Sequence, residues 1–421
     1  MNHIAQRIRE MRIEKGLTQA ELAEGVITRS YLSQIERGAF EPSYDVIEKL
    51  AKKLECNIED LLNQKPKNKS LLLLQIQRDI KLAEKSILES KINKAKKIIE
   101  NPTFDLLEED TSDEEKGILY WIKGKIYEHA NHLTDAMANY RKSAQVLNEV
   151  NQEKAVRSLV DLGSVYTLNN QNYEALNILN KANKLAIYEQ ISGQTRISLL
   201  LNLGIVHGKL NELYSAINFL EEALDLNHSM ELYYKSAEIN MALGICYMQL
   251  NKTDEAHQCY SKAIDFFMLI NDVENQAGTL NNLGILLRQT DHLQESVEKF
   301  NKSIALFKEL GKENKIVNVE LELAETLLHL KEYEKLEQIC CQIIEGSAEK
   351  QYVGKANELL GDMEKARKNY AKAIEYYQAA KKLTDTNSGA MSRLINKQAN
   401  IFHILGDYKK SSTMLVEHMT D

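Results

Sequence analysis

Residues 18–38 read Thr-Gln-Ala-Glu-Leu-Ala-Glu-Gly-Val-Ile-Thr-Arg-Ser-Tyr-Leu-Ser-Gln-Ile-Glu-Arg-Gly, and this stretch decides the fold of the N-terminal part of the chain. Thr18 is a favourable N-cap, and Glu21 three residues later completes a capping box, which predicts the start of a helix. Thr28 predicts the cap of a second helix with Leu32 on its inner face, and Gly38 predicts its end. We therefore expect two short helices joined by a tight turn.

Three further helices are predicted around this pair. The first runs from about Asn2 to Lys15 and ends at Gly16, with Ile4, Ile8, Met11 and Ile13 as its apolar contacts. The fourth is capped by Ser43 and directs Val46, Ile47, Leu50, Ala51 and Leu54 to the core. A short fifth helix from Ile58 to Leu62 closes the domain.

The span from Ile4 to Leu62 resembles the repressor-type (XRE/Cro) helix-turn-helix family. The matching segments are Leu17-Thr18-Gln19, Glu21-Leu22-Ala23, Ile35-Glu36-Arg37-Gly38 and Pro42-Ser43, whereas Gly25-Val26 departs from the usual turn. The resemblance implies that the third helix enters the major groove of DNA. It also implies that Arg12 and Glu36 form an ion pair between the first and third helices.

The same resemblance assigns DNA contacts to Gln19, Thr28, Arg29, Ser30, Ser33, Gln34 and Arg37. Arg29 is expected to read a guanine and Gln34 an adenine, whereas Gln19 and Arg37 are expected to contact phosphate. Residues 1–62 carry nine Lys/Arg and eleven Asp/Glu, and the whole chain has a net charge of −8. Binding must therefore depend on local placement of these side chains and not on a global positive field.

The polar run Asn63–Ser70, broken by Pro66, predicts a linker between domains at 1–62 and 71–421. Beyond it the chain repeats: a Leu-Gly-x-x-Tyr motif is followed by an alanine twelve residues after the glycine and by a large residue four further on. Nine copies centre on Ala83, Gly124, Gly163, Gly204, Gly244, Gly284, Ala324, Gly361 and Ala399. Small residues allow two antiparallel helices to touch, so each copy is predicted to be a helix pair.

This pattern resembles the tetratricopeptide repeat, which implies a right-handed superhelix and an all-α fold for the whole chain. The spacing of about 40 residues between Gly163 and Ala324 exceeds the usual 34 or so, and the usual terminal proline is absent. In such a superhelix the first helix of each pair lines the inner wall.

One inner position lies two residues before the repeat glycine, and it holds Asp161, Asn202, Ala242, Asn282 and Glu322. An asparagine amide both donates and accepts hydrogen bonds, which suits an extended peptide backbone. The candidate peptide-binding residues are Arg157, Asp161, Asn202, Asn240, Asn281, Asn282, Arg288, Gln289 and Glu322. A merely solvated face is the alternative interpretation.

No motif indicates an enzyme, a metal site or a bound cofactor, since neither HExxH nor a phosphate-binding loop is present. The adjacent Cys340-Cys341 is more typical of buried apolar residues than of a redox switch. The apolar run Leu71–Leu74 is too short to span a membrane, and the N-terminus lacks the core of a signal peptide. We therefore expect a cytoplasmic protein.

A repressor-type helix-turn-helix followed by nine long tetratricopeptide-like pairs resembles the RNPP family of Gram-positive quorum-sensing regulators, most closely its NprR-type branch. The resemblance implies a receptor for a short re-imported signalling peptide, a homodimer or higher oligomer, and peptide-dependent control at a double-stranded DNA operator. A sporulation phosphorelay protein is a further partner in that branch. Two alternatives stay open: repeats that bind a folded protein without peptide, and a response-regulator phosphatase.

Overall fold

A computed structural model describes residues 3–40, 42–56, 58, 61, 69–101, 111–347, 349–385 and 389–420. The chain divides into two compact units, Met1–Ile126 and Tyr127–Asp421. Every regular element among the described residues is a helix, so the predicted all-α class is confirmed. Most of the predicted linker at 63–70 lies outside the described residues, and residues 69–70 already belong to a helix.

The first unit opens with the four short helices α1 (His3–Glu14), α2 (Gln19–Ala23), α3 (Arg29–Glu36) and α4 (Tyr44–Lys53). The capping box is present, because the Thr18 hydroxyl accepts from the Glu21 N–H and the Glu21 carboxylate accepts from the Thr18 N–H. Thr28 caps α3 by accepting from the Tyr31 N–H at 3.2 Å. The buried core holds Ile8, Leu22, Leu32, Ile35, Ile47, Leu50 and Leu54.

Two details of this domain differ from the expectations. Ile13 is 57% exposed, so the prediction that it contacts the core was wrong. Ser43 precedes α4 in an extended conformation, but its side chain makes no capping hydrogen bond.

The predicted fifth helix lies outside the described residues except for Ile58 and Leu61. The unusual Gly25 has a φ of +73°, so the turn between α2 and α3 uses a conformation that favours glycine.

The remaining eighteen helices of the described residues follow one another in the order that nine helix pairs predict. Their first and second helices alternate as α5 (Lys69–Leu88), α6 (Ile92–Ile99), α7 (Asp113–His129), α8 (Leu133–Leu147), α9 (Gln152–Leu168), α10 (Asn172–Tyr188), α11 (Gly193–Lys209), α12 (Leu213–Ser229), α13 (Ser236–Gln249), α14 (Thr253–Leu269), α15 (Val273–Gln289), α16 (Leu293–Glu309), α17 (Glu313–Leu330), α18 (Tyr333–Gly346), α19 (Lys350–Ala366), α20 (Tyr370–Lys381), α21 (Gly389–Ile404) and α22 (Tyr408–Thr420).

The repeat glycine lets the two helices of a pair approach closely. A Cβ added at Gly204 would lie 2.5 Å from Cγ of Leu220, and one at Gly244 would lie 2.6 Å from the Tyr260 ring. Real Cβ atoms do not approach other atoms this closely, so a larger residue would force the helices apart. The same close contact occurs at Gly163, Gly284 and Gly361.

The seventh pair varies this packing. Ala324 replaces the glycine, and the residue sixteen positions later is the small Cys340; both are fully buried. Burial raises the pKa of the Cys340 thiol to about 12, which disfavours the reactive thiolate at neutral pH. The geometry therefore agrees with Cys340 as a buried packing residue.

Candidate functional site

The first candidate site is the outer surface of α3 in the helix-turn-helix. Thr28, Arg29, Ser30, Gln34 and Arg37 are exposed and Ser33 is half-buried, whereas Leu32 and Ile35 on the opposite side are completely buried. The periodicity of the helix therefore places six of the seven predicted DNA contacts on one accessible surface. Two of them are arginines, which suits contact with bases and phosphates.

The seventh predicted contact, Gln19, belongs to a network that fixes α3. Arg12 donates two hydrogen bonds of 2.7 and 3.0 Å to the Glu36 carboxylate, and Gln19 Nε2 donates to the same carboxylate at 2.8 Å. The expected Arg12–Glu36 ion pair is thus present. Burial acts to raise the pKa of Glu36, but the hydrogen bonds from Arg12 and Gln19 outweigh it and hold the pKa below its usual value. Glu36 therefore stays ionised and ties α1, α2 and α3 together.

An aromatic pair borders the same surface. Phe40 follows α3, is 55% exposed, and lies with its ring centroid 6.3 Å from that of Tyr31. The exposed surface of α3 is thus bordered by an aromatic edge at Tyr31 and Phe40.

The second candidate site is a surface on the first helices of the repeats, which we call the first-helix face. It comprises the residues six and two positions before the repeat glycine and one and five positions after it. In α11 these are Ser198, Asn202, Ile205 and Lys209, all half-buried or exposed, whereas the leucines and Val206 between them are buried. This spacing of three and four residues is that of one face of a helix.

The predicted peptide-binding residues occupy this face only in part. Asn202 and Asn282 lie on it half-buried, as do Arg157 and Asp161, while Gln289 is exposed. Asn240 and Ala242 are buried, with 4% and 8% exposure, so the expectation that they line an open surface was wrong. Asn240 Nδ2 donates to the Ser236 carbonyl one turn earlier, because its side chain points along its own helix.

Asn281 is also buried, with 9% exposure, and its Oδ1 has no hydrogen-bond partner among the described residues. An amide oxygen left in this state carries a desolvation cost of about 1–3 kcal/mol. Asn202, in contrast, donates from Nδ2 to the Ser198 carbonyl at 2.9 Å. The two asparagines thus differ in how their amides are satisfied.

Arg288 and Glu322 pair with each other. Arg288 donates to the Glu322 carboxylate at 2.7 Å and to its carbonyl at 2.8 Å, and thereby joins α15 to α17. On α17, Glu325 lies 3.5 Å from Lys355 of α19. These contacts begin a series of ion pairs between successive first helices.

The series ends at Glu358, which is 3% exposed on α19. Arg393 of α21 donates to both of its oxygens at 2.8 and 3.1 Å, and Lys397 donates to one of them at 2.7 Å. Lys397 also pairs with Asp362. Burial acts to raise the pKa of Glu358, but Arg393 and Lys397 outweigh it and lower the pKa to about 2. We call the contacts from Arg288 to Lys397 the charge ladder.

Sequence reasoning missed Glu238 of α13, whose Oε2 is buried without a hydrogen-bond partner among the described residues. It also missed three isoleucines, Ile205, Ile245 and Ile285, which recur one residue after the repeat glycine and stay half-buried on the first-helix face. Glu238 lies four residues, or about one helical turn, before Ala242, as Ser198 lies before Asn202. This spacing was the signal that could have identified it. The face therefore combines amides, carboxylates such as Asp161 and Glu238, and apolar patches.

Within the described residues, no group of histidine, cysteine, aspartate and glutamate is arranged to hold a metal ion. The described helices also include none that is both long and apolar enough to cross a membrane.

Comparison with known families agrees with this architecture. The helix-turn-helix family matches residues 8–61, and tetratricopeptide repeat families match residues 197–229, 235–309 and 353–387. The chain is a helix-turn-helix protein with tetratricopeptide repeats. The two architectural predictions are thus confirmed.

Two relatives extend this conclusion. The transcriptional activator NprA of Geobacillus stearothermophilus is 26% identical over 290 residues, which are 67% of this chain and 67% of NprA. The HTH-type transcriptional regulator SinR of Bacillus licheniformis is 44% identical over 64 residues, which are 15% of this chain and 58% of SinR. The chain is therefore homologous to NprA and related to transcription regulators.

Solved structures share the fold. The quorum sensor NprR from B. thuringiensis, in its apo form, has a TM-score of 0.63 at 15% identity, covering 82% of this chain and 99% of NprR. The apo form of RapI has a TM-score of 0.59 at 13% identity, covering 82% of this chain and 98% of RapI. The predicted resemblance to RNPP regulators is thus confirmed by homology to NprA and by the fold of NprR.

Proposed function

We propose that this protein is a transcription regulator that binds an operator through α3 and a short signalling peptide through the first-helix face of its repeats. The observation that carries the proposal is the coexistence of two accessible polar surfaces in one chain. One is the exposed side of a recognition helix, and the other is a run of amides on stacked helices. The kinship with NprA, a transcriptional activator, and the fold shared with the quorum sensor NprR support the same assignment.

DNA binding rests on the arrangement of α3. Its buried side is fixed by Leu32 and Ile35 and by the Glu36 network, so Arg29 and Gln34 project from a rigid support. If Arg29 reads a base pair, Arg29→Ala should weaken binding to the selected operator by about 1–3 kcal/mol and leave binding to random DNA nearly unchanged. Fluorescence anisotropy with both DNAs measures this, and an equal loss on both would assign Arg29 to phosphate.

A helix-turn-helix of this kind is expected to work as a dimer. Two α3 helices reading successive major grooves require half-sites about one helical turn apart or a multiple of it. Footprinting on an operator selected from random DNA should show two-fold symmetric protection. Protection of one asymmetric half-site by a monomer would contradict the homodimer.

Peptide binding rests on the chemistry of the first-helix face. Its amides can engage a peptide backbone, and the half-buried Ile205, Ile245 and Ile285 can contact peptide side chains. The decisive test is calorimetry of the full chain with short secreted peptides of the source culture, followed by operator binding with and without the active fraction. A peptide that binds and changes operator affinity supports the proposal, whereas operator binding with no peptide response contradicts it.

A second candidate is a regulator whose repeats hold a folded protein, such as a phosphorelay protein, without a peptide. Tyr173 and Tyr214 favour it, since they occupy equivalent positions on α10 and α12 and are 78% and 71% exposed. Exposed tyrosines are common in protein interfaces. Replacing both with serine should abolish partner capture under this alternative and leave peptide binding intact under the first.

A further inference from the structure

We propose that Glu238 and Asn202 form a seat for a positively charged group of the bound peptide, either a lysine or arginine side chain or the N-terminal ammonium. This inference rests on the proposed function, because it specifies the chemistry of the peptide that the first-helix face accepts. It is carried by one carboxylate of that face that lacks the counter-charge its neighbours have.

Four other carboxylates on the first helices are matched by protein cations. Glu322 pairs with Arg288, Glu325 with Lys355, and Glu358 and Asp362 with Lys397. Glu238 differs, because its Oε2 is buried and no donor among the described residues reaches it. Burying a carboxylate oxygen without a partner is costly, and a cation that arrives with a ligand removes this cost.

The nearest basic side chain along the chain does not fill this role. Lys235 lies three residues before Glu238, and its Nζ is directed to the Tyr234 ring, 5.7 Å from the centroid. Arg196 of the neighbouring α11 is held by Glu222 at 2.8 Å. Protein cations in this part of the repeat unit thus have other positions.

We place Asn202 near Glu238 from the contact that joins their two segments. Ser198 Oγ donates to the Tyr234 hydroxyl at 3.2 Å, which fixes the contact between α11 and the segment that enters α13. Asn202 lies one helical turn after Ser198, and Glu238 lies in the first turn of α13, four residues after Tyr234. Because Asn202 already donates from Nδ2 to Ser198, the part of its amide left for a ligand includes the accepting oxygen.

The polarity of the partnerless atoms defines the ligand. On α13 and α15 these atoms are Glu238 Oε2 and Asn281 Oδ1, and both are acceptors. A ligand that satisfies them must supply N–H donors, and beside a carboxylate a charged donor gives the strongest hydrogen bond. A cationic group fits the seat, whereas an anionic group would be repelled.

The test is a selection with bead-bound heptapeptide libraries, one with free amino termini and one acetylated, against the full chain and Glu238→Gln. We expect wild-type protein to enrich peptides with Lys or Arg at one position in both libraries, or peptides from the free-terminus library alone. The first result identifies a side chain and the second the N-terminal ammonium. Selected peptides should bind Glu238→Gln at least tenfold more weakly.

Glu274→Gln is the matched control, because Glu274 lies in the first turn of α15 as Glu238 lies in that of α13, but has Lys312 at 3.0 Å. It should bind the selected peptides as wild type does. Enriched peptides without a common cation that bind Glu238→Gln as tightly as wild type would overturn the seat but preserve the peptide receptor. If wild type enriches no peptide, the proposed function itself fails, and the seat with it.

A second measurement uses the protein without peptide. Glu238→Gln removes a charge that lacks a partner, so the thermal unfolding midpoint should rise or hold, whereas Glu322→Gln breaks an ion pair and should lower it. A fall for Glu238→Gln as large as that for Glu322→Gln would show that the protein itself satisfies Glu238, and would overturn the proposal.

Discussion

The first helices α11 to α15 and the first helices α17 to α21 share one packing scheme but treat their polar groups in opposite ways. In the later helices, carboxylates such as Glu358 are matched by cations of the next helix. In the earlier helices, Glu238 Oε2 and Asn281 Oδ1 are buried without partners among the described residues. The carboxylates of the later helices thus have partners within the protein, whereas these two atoms of the earlier helices have none among the described residues. The difference teaches that copies with one packing scheme can differ in how their polar groups are satisfied.

The largest effect should be common to both regions, since the glycine contact is shared. Gly204→Leu should lower the free energy of unfolding by about 3 kcal/mol or more, because even its Cβ would meet Leu220 at 2.5 Å and the Ala216 carbonyl at 3.2 Å. Gly361→Leu should behave alike, since Tyr377 lies 2.5 Å from the added Cβ. Chemical denaturation measures both changes.

Gly278→Ala provides the control for this prediction. An added Cβ there has no neighbour within 4 Å, so a helical alanine should be neutral or slightly stabilising. If Gly204→Leu were no more destabilising than Gly278→Ala, the shared packing scheme would be refuted.

The second largest effect should be a pH dependence of stability that arises in the later helices. The pKa of Glu358 is lowered from 4.5 to about 2, so its contribution is present at neutral pH and is lost as pH falls from about 4.5 towards 2. At about 1.4 kcal/mol per unit of pKa shift, the ionised Glu358 contributes roughly 3 kcal/mol to the free energy of unfolding. Glu358→Gln should lower stability at pH 7 by a similar order and flatten that part of the curve. Denaturation series at several pH values test this, and an unchanged slope would contradict the role of the ladder.

A smaller effect should appear only in binding. Asn202→Ala and Asn282→Ala should each weaken binding of the cognate peptide by about 1–3 kcal/mol, because a peptide group would lose its partner. Thermal stability should barely change, since neither side chain supports the core. Calorimetry measures the affinities. Wild-type affinity in both variants would show that these asparagines only face solvent and do not bind the peptide.

The smallest effect should come from the exposed part of the ladder. Lys355 and Glu325 are each about a third exposed and 3.5 Å apart, so Lys355→Gln should cost roughly 0.2–1 kcal/mol. The cost should fall further in high salt, because solvent ions screen an accessible pair. A loss of stability as large as that of Glu358→Gln would show that solvent exposure does not determine how much each ion pair of the charge ladder contributes.

Sequence patterns predicted the helix-turn-helix closely because its signals are local. The capping box at Thr18 and Glu21 and the cap at Thr28 depend on residues three apart, so each helix start was correctly placed. Ile13 was misplaced because it lies on the opposite side of α1 from Ile4, Ile8 and Met11, where helical periodicity directs it to solvent. The Arg12–Glu36 pair, 24 residues apart, was expected only through a family resemblance.

The sequence by itself determined the all-α class, the nine helix pairs and the glycine contacts, since these follow from helix periodicity and residue size repeated along the chain. Only the tertiary structure decided which polar residues have partners. Asn240 and Asn281 were candidates near the inner position of their helices, yet both are buried, and Arg288 pairs with Glu322. Glu238 has no such partner among the described residues. The physical reason is that hydrogen bonds and ion pairs between successive first helices join residues about 35 positions apart, and their geometry depends on how each pair rotates against the next.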